Sequence, residues 1–236
     1  MHNFKLYIPF ACNIDALNRA INSAIPQMKE FSSYAGKRIV VLNDTMKPIE
    51  HLIENIDLVE IFEFPYRIKM THAQQCNWML QDAIHTGQDF CMSTHADSEL
   101  LPGAMADMLE KVDEVNGTKW GVVFAGNGGH IFSTFNLKFF LEEDVWFDPF
   151  LFPFYYMDNH MYRIMNLRGW INHTTNSPVA LVRHKSSHYL KEDPIFCRKN
   201  NIAFPCHGMI YVNIWGGLPG AELSNDKYAN GTLPRR

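Results

Sequence analysis

The sequence predicts an α/β domain with a mixed, mostly parallel central sheet covered by helices. Three observations carry this expectation. From Phe4 to Val115, apolar runs of strand length alternate with apolar residues at helical spacing, a pattern that favours parallel strands buried on both faces. Beyond Trp120 the pattern changes to two strand-like runs around a glycine turn, so this half reads as mixed rather than purely parallel. Over 236 residues, 47% are apolar and 19% charged, which excludes a disordered chain and supplies a sizeable core without staples.

The elements follow in order. Phe4 to Ala11 is a β-type run, after which Asn13 or Asp15 can cap a helix with Ile14, Leu17, Ile21 and Ile25 on one face. Arg38 to Leu42 reads as a buried strand, Pro48 to Asn55 as a helix, and Val59 to Phe64 as a strand. A longer helix, Ala73 to Ile84, precedes a strand from Phe90 to Thr94. Pro102 suits a first helical turn, and Met105, Met108, Leu109, Val112 and Val115 form the buried stripe of that helix. Trp120 to Ala125, the turn Gly126-Asn127-Gly128-Gly129 and the run His130 to Thr134 follow. A helix from Asp158 to Leu167 is closed by Arg168 and Gly169. No linker, repeat or low-complexity tract divides the chain, which reads as one domain.

Composition bounds the function. The 21 Lys+Arg and 25 Asp+Glu leave a net charge of −4, which argues mildly against a nucleic-acid partner. Five cysteines without a Cys-x-x-Cys pair predict reduced thiols in a cytoplasmic protein and no zinc site. The run at the start is too short for a signal peptide, and no later run approaches a membrane span. No stable membrane insertion is therefore expected.

Ligands of parallel sheets bind at the carboxyl ends of the strands. Those ends are Phe10-Ala11-Cys12-Asn13, Asn43-Asp44 and His95-Ala96-Asp97. Asp97 can hold a hard divalent cation together with phosphate oxygens, but spacing alone favours a helix-capping acid. Asp44 reads either as a turn residue before Thr45 or as a ligand contact. Asp158 reads equally as an N-cap or as a base. The turn at Gly126 can cradle phosphate or merely reverse the chain. Arg183, Lys185, Lys191, Arg198 and Lys199, with Tyr189 and Phe196 between them, form a basic patch that suits a phosphate backbone, a donor diphosphate or plain solvent.

Several segments, in order, resemble family 2 glycosyltransferases with the GT-A fold. They are Phe4 to Pro9, the helix through Leu17 and Ile21, Ile39 to Asp44, His72 to Trp78, His95-Ala96-Asp97, Phe147-Asp148-Pro149 and Met157 to Arg163 with Gly169. His95-Ala96-Asp97 is similar to the family's Asp-x-Asp motif, and the stretch Met157 to Arg163 to its Glu-Asp-x-Asp...Arg...Gly motif. The resemblance spans roughly residues 4 to 190. It implies a nucleotide-binding half over about residues 1–100, an acceptor-side half over about 101–190, and a tail over 191–236 packing on the active site.

The resemblance also implies roles. Asp158 matches the catalytic base. Asp44 matches the acid that contacts the nucleoside, and Pro9, Ala11 and Asn13 the loop beside the base. Asn77 matches the Asn before the metal motif. Asp97 matches the second acid of that motif, which holds the cation. His95 replaces the first acid, removing a negative charge, which implies either weak binding of the cation (manganese or magnesium) or selection of manganese over magnesium. His184 resembles a late metal ligand, with His188 a lesser candidate. Trp215, in a tail similar to those of small bacterial and phage members, reads either as a platform for a sugar or base or as a core plug.

The implied activity is an inverting, metal-assisted transfer of a hexosyl or pentosyl group from a nucleotide-sugar donor, UDP-linked by the family's habit. The acceptor is the hydroxyl of a surface-saccharide precursor, or of a hydroxymethylated pyrimidine in DNA. The alternative is a nucleotide-sugar-binding module that lost catalysis, since His95 and Met157 replace family acids. A nucleotidyltransferase would need a glycine-rich, basic turn after the first strand, and Phe10 to Asn13 supplies none.

Overall fold

The computed structural model describes residues 1–45, 47–64, 70–126, 131–181 and 194–219, with side chains from residue 202 onward in the last stretch. The sheet strands are β1 (Leu6–Phe10), β2 (Ile39–Asn43), β3 (Val59–Glu63), β4 (Cys91–Thr94), β6 (Trp120–Ala125), β7 (Phe132–Phe135) and β8 (Ile171–Thr175), while β5 (Ser98–Leu100) and β9 (Val179–Leu181) form a small separate ladder. The helices are α1 (Ile14–Phe31), α2 (His72–His85), α3 (Ala104–Val115), α4 (Leu137–Glu143), α5 (Met157–Leu167) and α6 (Pro194–Trp215).

The large sheet has the order β3-β2-β1-β4-β7-β6-β8. All its pairings are parallel except those of β7, which runs against both neighbours. The predicted mixed, mostly parallel sheet is what the chain forms. After β1 the chain winds outward through β2 and β3, then crosses back to lay β4 on the other side of β1. The strand order therefore reverses between β1 and β4, and such a switch point opens a crevice at the carboxyl ends of the two strands.

Alternation along β1 divides the core. Leu6, Ile8 and Phe10 point into one cluster with Leu17, Ile21 and Met108, so α1 and α3 cover that face. Tyr7 points into the other with Met79, Phe139, Met161 and Trp215, so α2, α4, α5 and α6 cover the opposite face. Residues two apart along a strand share a face. This explains why the strands read as continuous apolar runs.

Several predicted boundaries shift, each for a local reason. Asn13 caps α1, its Oδ1 accepting from the Ala16 N–H at 3.1 Å. The expected helix from Pro48 to Asn55 is only a 3₁₀ turn at Glu50–Leu52, followed by another at Ile56–Leu58. Ile49 and Ile53 still reach the core, so the apolar spacing anchors a loop rather than a helix. Pro102 lies ahead of α3 rather than in its first turn. The N-cap is Gly103, with φ of 87°, a left-handed geometry that glycine adopts without strain. Gly103 has no capping side chain, and Gln27 of α1 substitutes: its Oε1 accepts from the Met105 N–H at 2.9 Å, tying α1 to α3. Among the described residues, no helix is long and apolar enough to cross a membrane.

Candidate active site

A cavity of about 610 Å³ opens at the switch point. Pro9 of β1, Ser93 and Thr94 of β4 and His95 at the exit of β4 form one side, and Asp158 and Tyr162 of α5 with His72 of α2 form another. Each polar group arrives through its element. The α2 helix starts at His72 because Thr71 and Gln74 make a capping box, with Thr71 Oγ1 accepting from the Gln74 N–H at 3.1 Å and Gln74 Oε1 from the Thr71 N–H at 2.8 Å. That start stands over the strand ends. His95 is fixed by its N–H, which donates to the Ile131 carbonyl at 3.0 Å, and by its carbonyl, which accepts from Ser98 Oγ at 2.7 Å.

Asp158 lies in the first turn of α5, where the helix dipole favours a carboxylate. The cap itself is Tyr156, so the N-cap reading of Asp158 does not hold. Three groups around the cavity sense the Asp158 charge. Burial pushes His72 down to about 4, helped by His95 and opposed by Asp158. Burial pushes the Cys76 thiol up, and Asp158 adds to this. The Tyr162 phenol is raised by burial and again by Asp158. The cavity therefore presents a neutral His72 imidazole beside Asp158 at physiological pH.

His95 Nδ1 and Asp97 Oδ1 are 3.9 Å apart, and both side chains are partly exposed. Adjacent ligands bonded at about 2.1 Å to one octahedral cation lie about 3.0 Å apart, so the pair supplies one N and one O donor that would have to close together to share an ion. Among the described residues, no group of three or more His, Cys, Asp or Glu could complete such a site. His184 and His188 lie outside the described residues, as do the turn residues 127–129 and most of the basic patch.

The remaining predicted residues divide. Ala11 and Asn13 stand just past the end of β1, and Asn13 spends its side chain on the α1 cap. Asp44 is buried, with Oδ1 accepting from the Met70 N–H at 2.9 Å. The turn role weighed for it belongs to Asn43, whose Oδ1 accepts from the Thr45 N–H and hydroxyl at 3.0 and 2.7 Å. Asn77 is corrected: its amide donates to the Phe147 carbonyl at 2.8 Å and accepts from the Phe147 N–H at 2.9 Å, clamping that segment instead of facing the cavity. Trp215 is corrected as well. It is fully buried, and its indole N–H donates to His160 Nδ1 at 3.1 Å.

Residues beyond the predicted set complete the cavity: His72, Tyr156 and Phe204. His72 carries a legible signal, since Thr71 and Gln74 flank it as a capping box. Phe204 comes from α6, and Leu218 and Pro219 follow that helix to the cavity wall.

The His160–Trp215 bond gives a pH prediction. Burial lowers His160 to about 4, with Asp148 opposing, while the unfolded chain titrates near 6.5. The folded state thus resists the proton that the unfolded chain accepts. Stability is fully present above pH 6.5 and falls as the pH drops toward 4, by up to about 3 kcal/mol. Urea unfolding at pH 7.5 and pH 5 should show this loss, and His160→Gln should flatten the profile.

No family model and no curated relative matches the sequence. The three-dimensional structure does match solved ones. A mannosyltransferase from Pyrobaculum calidifontis, in complex with GDP-Man and Mn2+, is similar over 93% of this chain and 77% of its own, at 14% identity and a TM-score of 0.55. The chain has a GT-A fold. A second GT-A structure, glucosyl-3-phosphoglycerate synthase from Mycobacterium tuberculosis with Mn2+, UDP and glucosyl-3-phosphoglycerate, matches over 93% of this chain and 82% of its own, at 9% identity and a TM-score of 0.56. A Drosophila β-galactosyltransferase with manganese, UDP-Gal and xylobiose covers 82% of this GT-A chain and 75% of its own, at 14% identity and a TM-score of 0.50.

Proposed function

We propose that this GT-A chain is an inverting, nucleotide-sugar-dependent glycosyltransferase. The observation that supports it most is that Asp158 and His95 line one cavity at the carboxyl ends of β1 and β4. In the proposed step, an Asp158 carboxylate oxygen takes the proton of the acceptor hydroxyl. A lone pair on the acceptor oxygen forms the bond to the anomeric carbon as its proton leaves, and the bond from that carbon to the diphosphate breaks, its electron pair leaving on the phosphate oxygen. The donor nucleotide lies beside Pro9, Ala11, Asn13 and Asp44. Asp97 and His95, with His184 as a further ligand, would hold a divalent cation, which would supply charge neutralisation for the departing diphosphate. Neutral His72 adds a hydrogen bond without competing for the acceptor's proton.

The structural neighbours carry GDP-Man or UDP with Mn2+, which supports a nucleoside diphosphate sugar and manganese. We infer a UDP-linked donor and an acceptor hydroxyl on a saccharide or a hydroxymethylated pyrimidine. A thermal-shift panel of UDP and GDP, with and without Mn2+, tests the reading. A nucleotide at 100 times its Kd should raise Tm by about 5–10 °C, and Asp97→Ala should remove the part that depends on Mn2+. No stabilisation by either nucleotide under any condition sinks the reading. The replacement of a family acid by His95 favours a second reading, a binding module without turnover, which predicts the same shifts but no released nucleotide.

A further inference from the structure

We infer that α6 is a peripheral docking element for an anionic lipid surface. Its outward face of Ile202, Pro205, Cys206, Met209 and Val212 enters the bilayer interface, and Arg198 and Lys199 engage lipid phosphates. The inference is independent of what the cavity transfers.

Helical spacing divides α6 into two faces. His207, Tyr211 and Trp215, four residues apart in turn, are buried against the body of the protein. Ile202, Pro205, Cys206, Met209, Val212 and Asn213 follow the same repeat on the other side and are exposed, Ile202 by 66% and Met209 by 62%. Residues three and four apart on a helix are neighbours, so these form one stripe rather than scattered sites. Phe204 is left out of it, since it lines the cavity. A surface helix ordinarily turns polar residues toward water. On this stripe only Asn213 is polar, and a connected apolar patch of this kind marks an interaction surface.

Charge says what covers the stripe. None of the chain's 25 acidic residues lies within the 22 residues of α6. Its only Arg and Lys, Arg198 and Lys199, precede Ile202 by four and three positions, which puts both positions on the stripe's side of the helix. Apolar side chains bordered by cations match a bilayer surface, where the former enter the boundary between headgroups and acyl chains and the latter meet anionic headgroups. Other occupants match poorly. A second copy would bring the same cations with no acid on its α6 to answer them, and the stripe is far smaller than the roughly 20–30 residues that each partner gives a stable interface. A folded protein partner makes hydrogen bonds across its contact, and on the stripe Asn213 alone carries an amide for them. A nucleic-acid backbone would pair with the cations but leave the apolar side chains in water. Among the described residues no helix is long and apolar enough to cross a membrane, so α6 lies on the surface rather than through it.

Flotation of the full chain with lipid vesicles tests the inference. With three parts phosphatidylcholine to one part phosphatidylglycerol at low salt, we expect most of the protein to float. Flotation should fall at least fivefold on phosphatidylcholine alone, and likewise in high salt, which screens the attraction. Ile202→Glu with Met209→Glu should cut binding to the anionic vesicles at least tenfold, and Arg198→Gln with Lys199→Gln at least fivefold. Both pairs should melt within about 2 °C of wild type, since exposed side chains carry little of the fold's stability. Should the glutamate pair melt lower, Met209→Gln alone serves, with binding reduced at least threefold. Absence of flotation, equal flotation on neutral and anionic vesicles, or unchanged binding in these variants overturns the inference. So does a dimer in sedimentation velocity that the glutamate pair abolishes while vesicles leave the protein in solution, which gives the stripe to a second copy.

Discussion

Asp158→Asn should lower release of nucleoside diphosphate from a nucleotide sugar by about 10²- to 10⁴-fold, the range associated with losing a positioned general base. The amide keeps the size of the carboxylate and can still accept from the Asn159 N–H, as Asp158 Oδ1 does at 2.9 Å. Folding and nucleotide binding should therefore be little changed. The loss should fall on kcat rather than on the KM for the donor, because the interaction removed is made as the proton moves. A coupled assay for released nucleotide, run beside a thermal-shift control, checks both parts. Activity within threefold of wild type would falsify the assignment and move the base elsewhere, with His72 another candidate in the cavity. Absent turnover in wild type and variant alike would favour the binding-module reading.

Trp215→Ala should destabilise the fold by about 3–5 kcal/mol, the usual cost of emptying a large aromatic site in a core. For a domain of this size that is a fall in Tm of roughly 10 °C. The side chain is fully buried, packs 5.5 Å from the His160 ring and lies under the Arg163 guanidinium at 5.7 Å. Removing it also leaves His160 Nδ1 without the indole donor. A sugar platform would behave oppositely, with Tm almost unchanged and the acceptor KM raised. Calorimetry and steady-state kinetics on one variant separate the two roles. The same anchor joins α6 to α5, so loss of Trp215 should also loosen the cavity wall that Phe204 provides.

These expectations show how far the primary structure reaches. The β-α alternation through Val115 was legible because the inner strands β1, β2 and β4 are buried on both faces and each helix on one, so burial wrote itself into the spacing of apolar residues. The strand ends carrying Pro9, Asp44, His95 and Asp97 were legible for the same reason, since a strand run has a visible end. The loop from Pro48 to Asn55 misled because Ile49 and Ile53 need burial, and two apolar anchors four residues apart do not distinguish a helix from a pinned turn. Asn77 and Trp215 misled because an amide or an indole serves a ligand or the protein's own backbone with the same chemistry. Only the partner decides, and the partners lie at Phe147 and His160, distant in sequence.

By itself the sequence determined the layering of this protein, because periodic burial is a local property that any stretch of chain records. It also determined which acids stand at strand ends. The tertiary structure alone decided that Asp158 and His95 share one cavity, that β7 runs against its neighbours, and that α6 brings Phe204 to Tyr156. Those are contacts between segments far apart in the chain. No residue spacing encodes them, because they are fixed by how the two faces of the sheet are covered and where the strand order reverses.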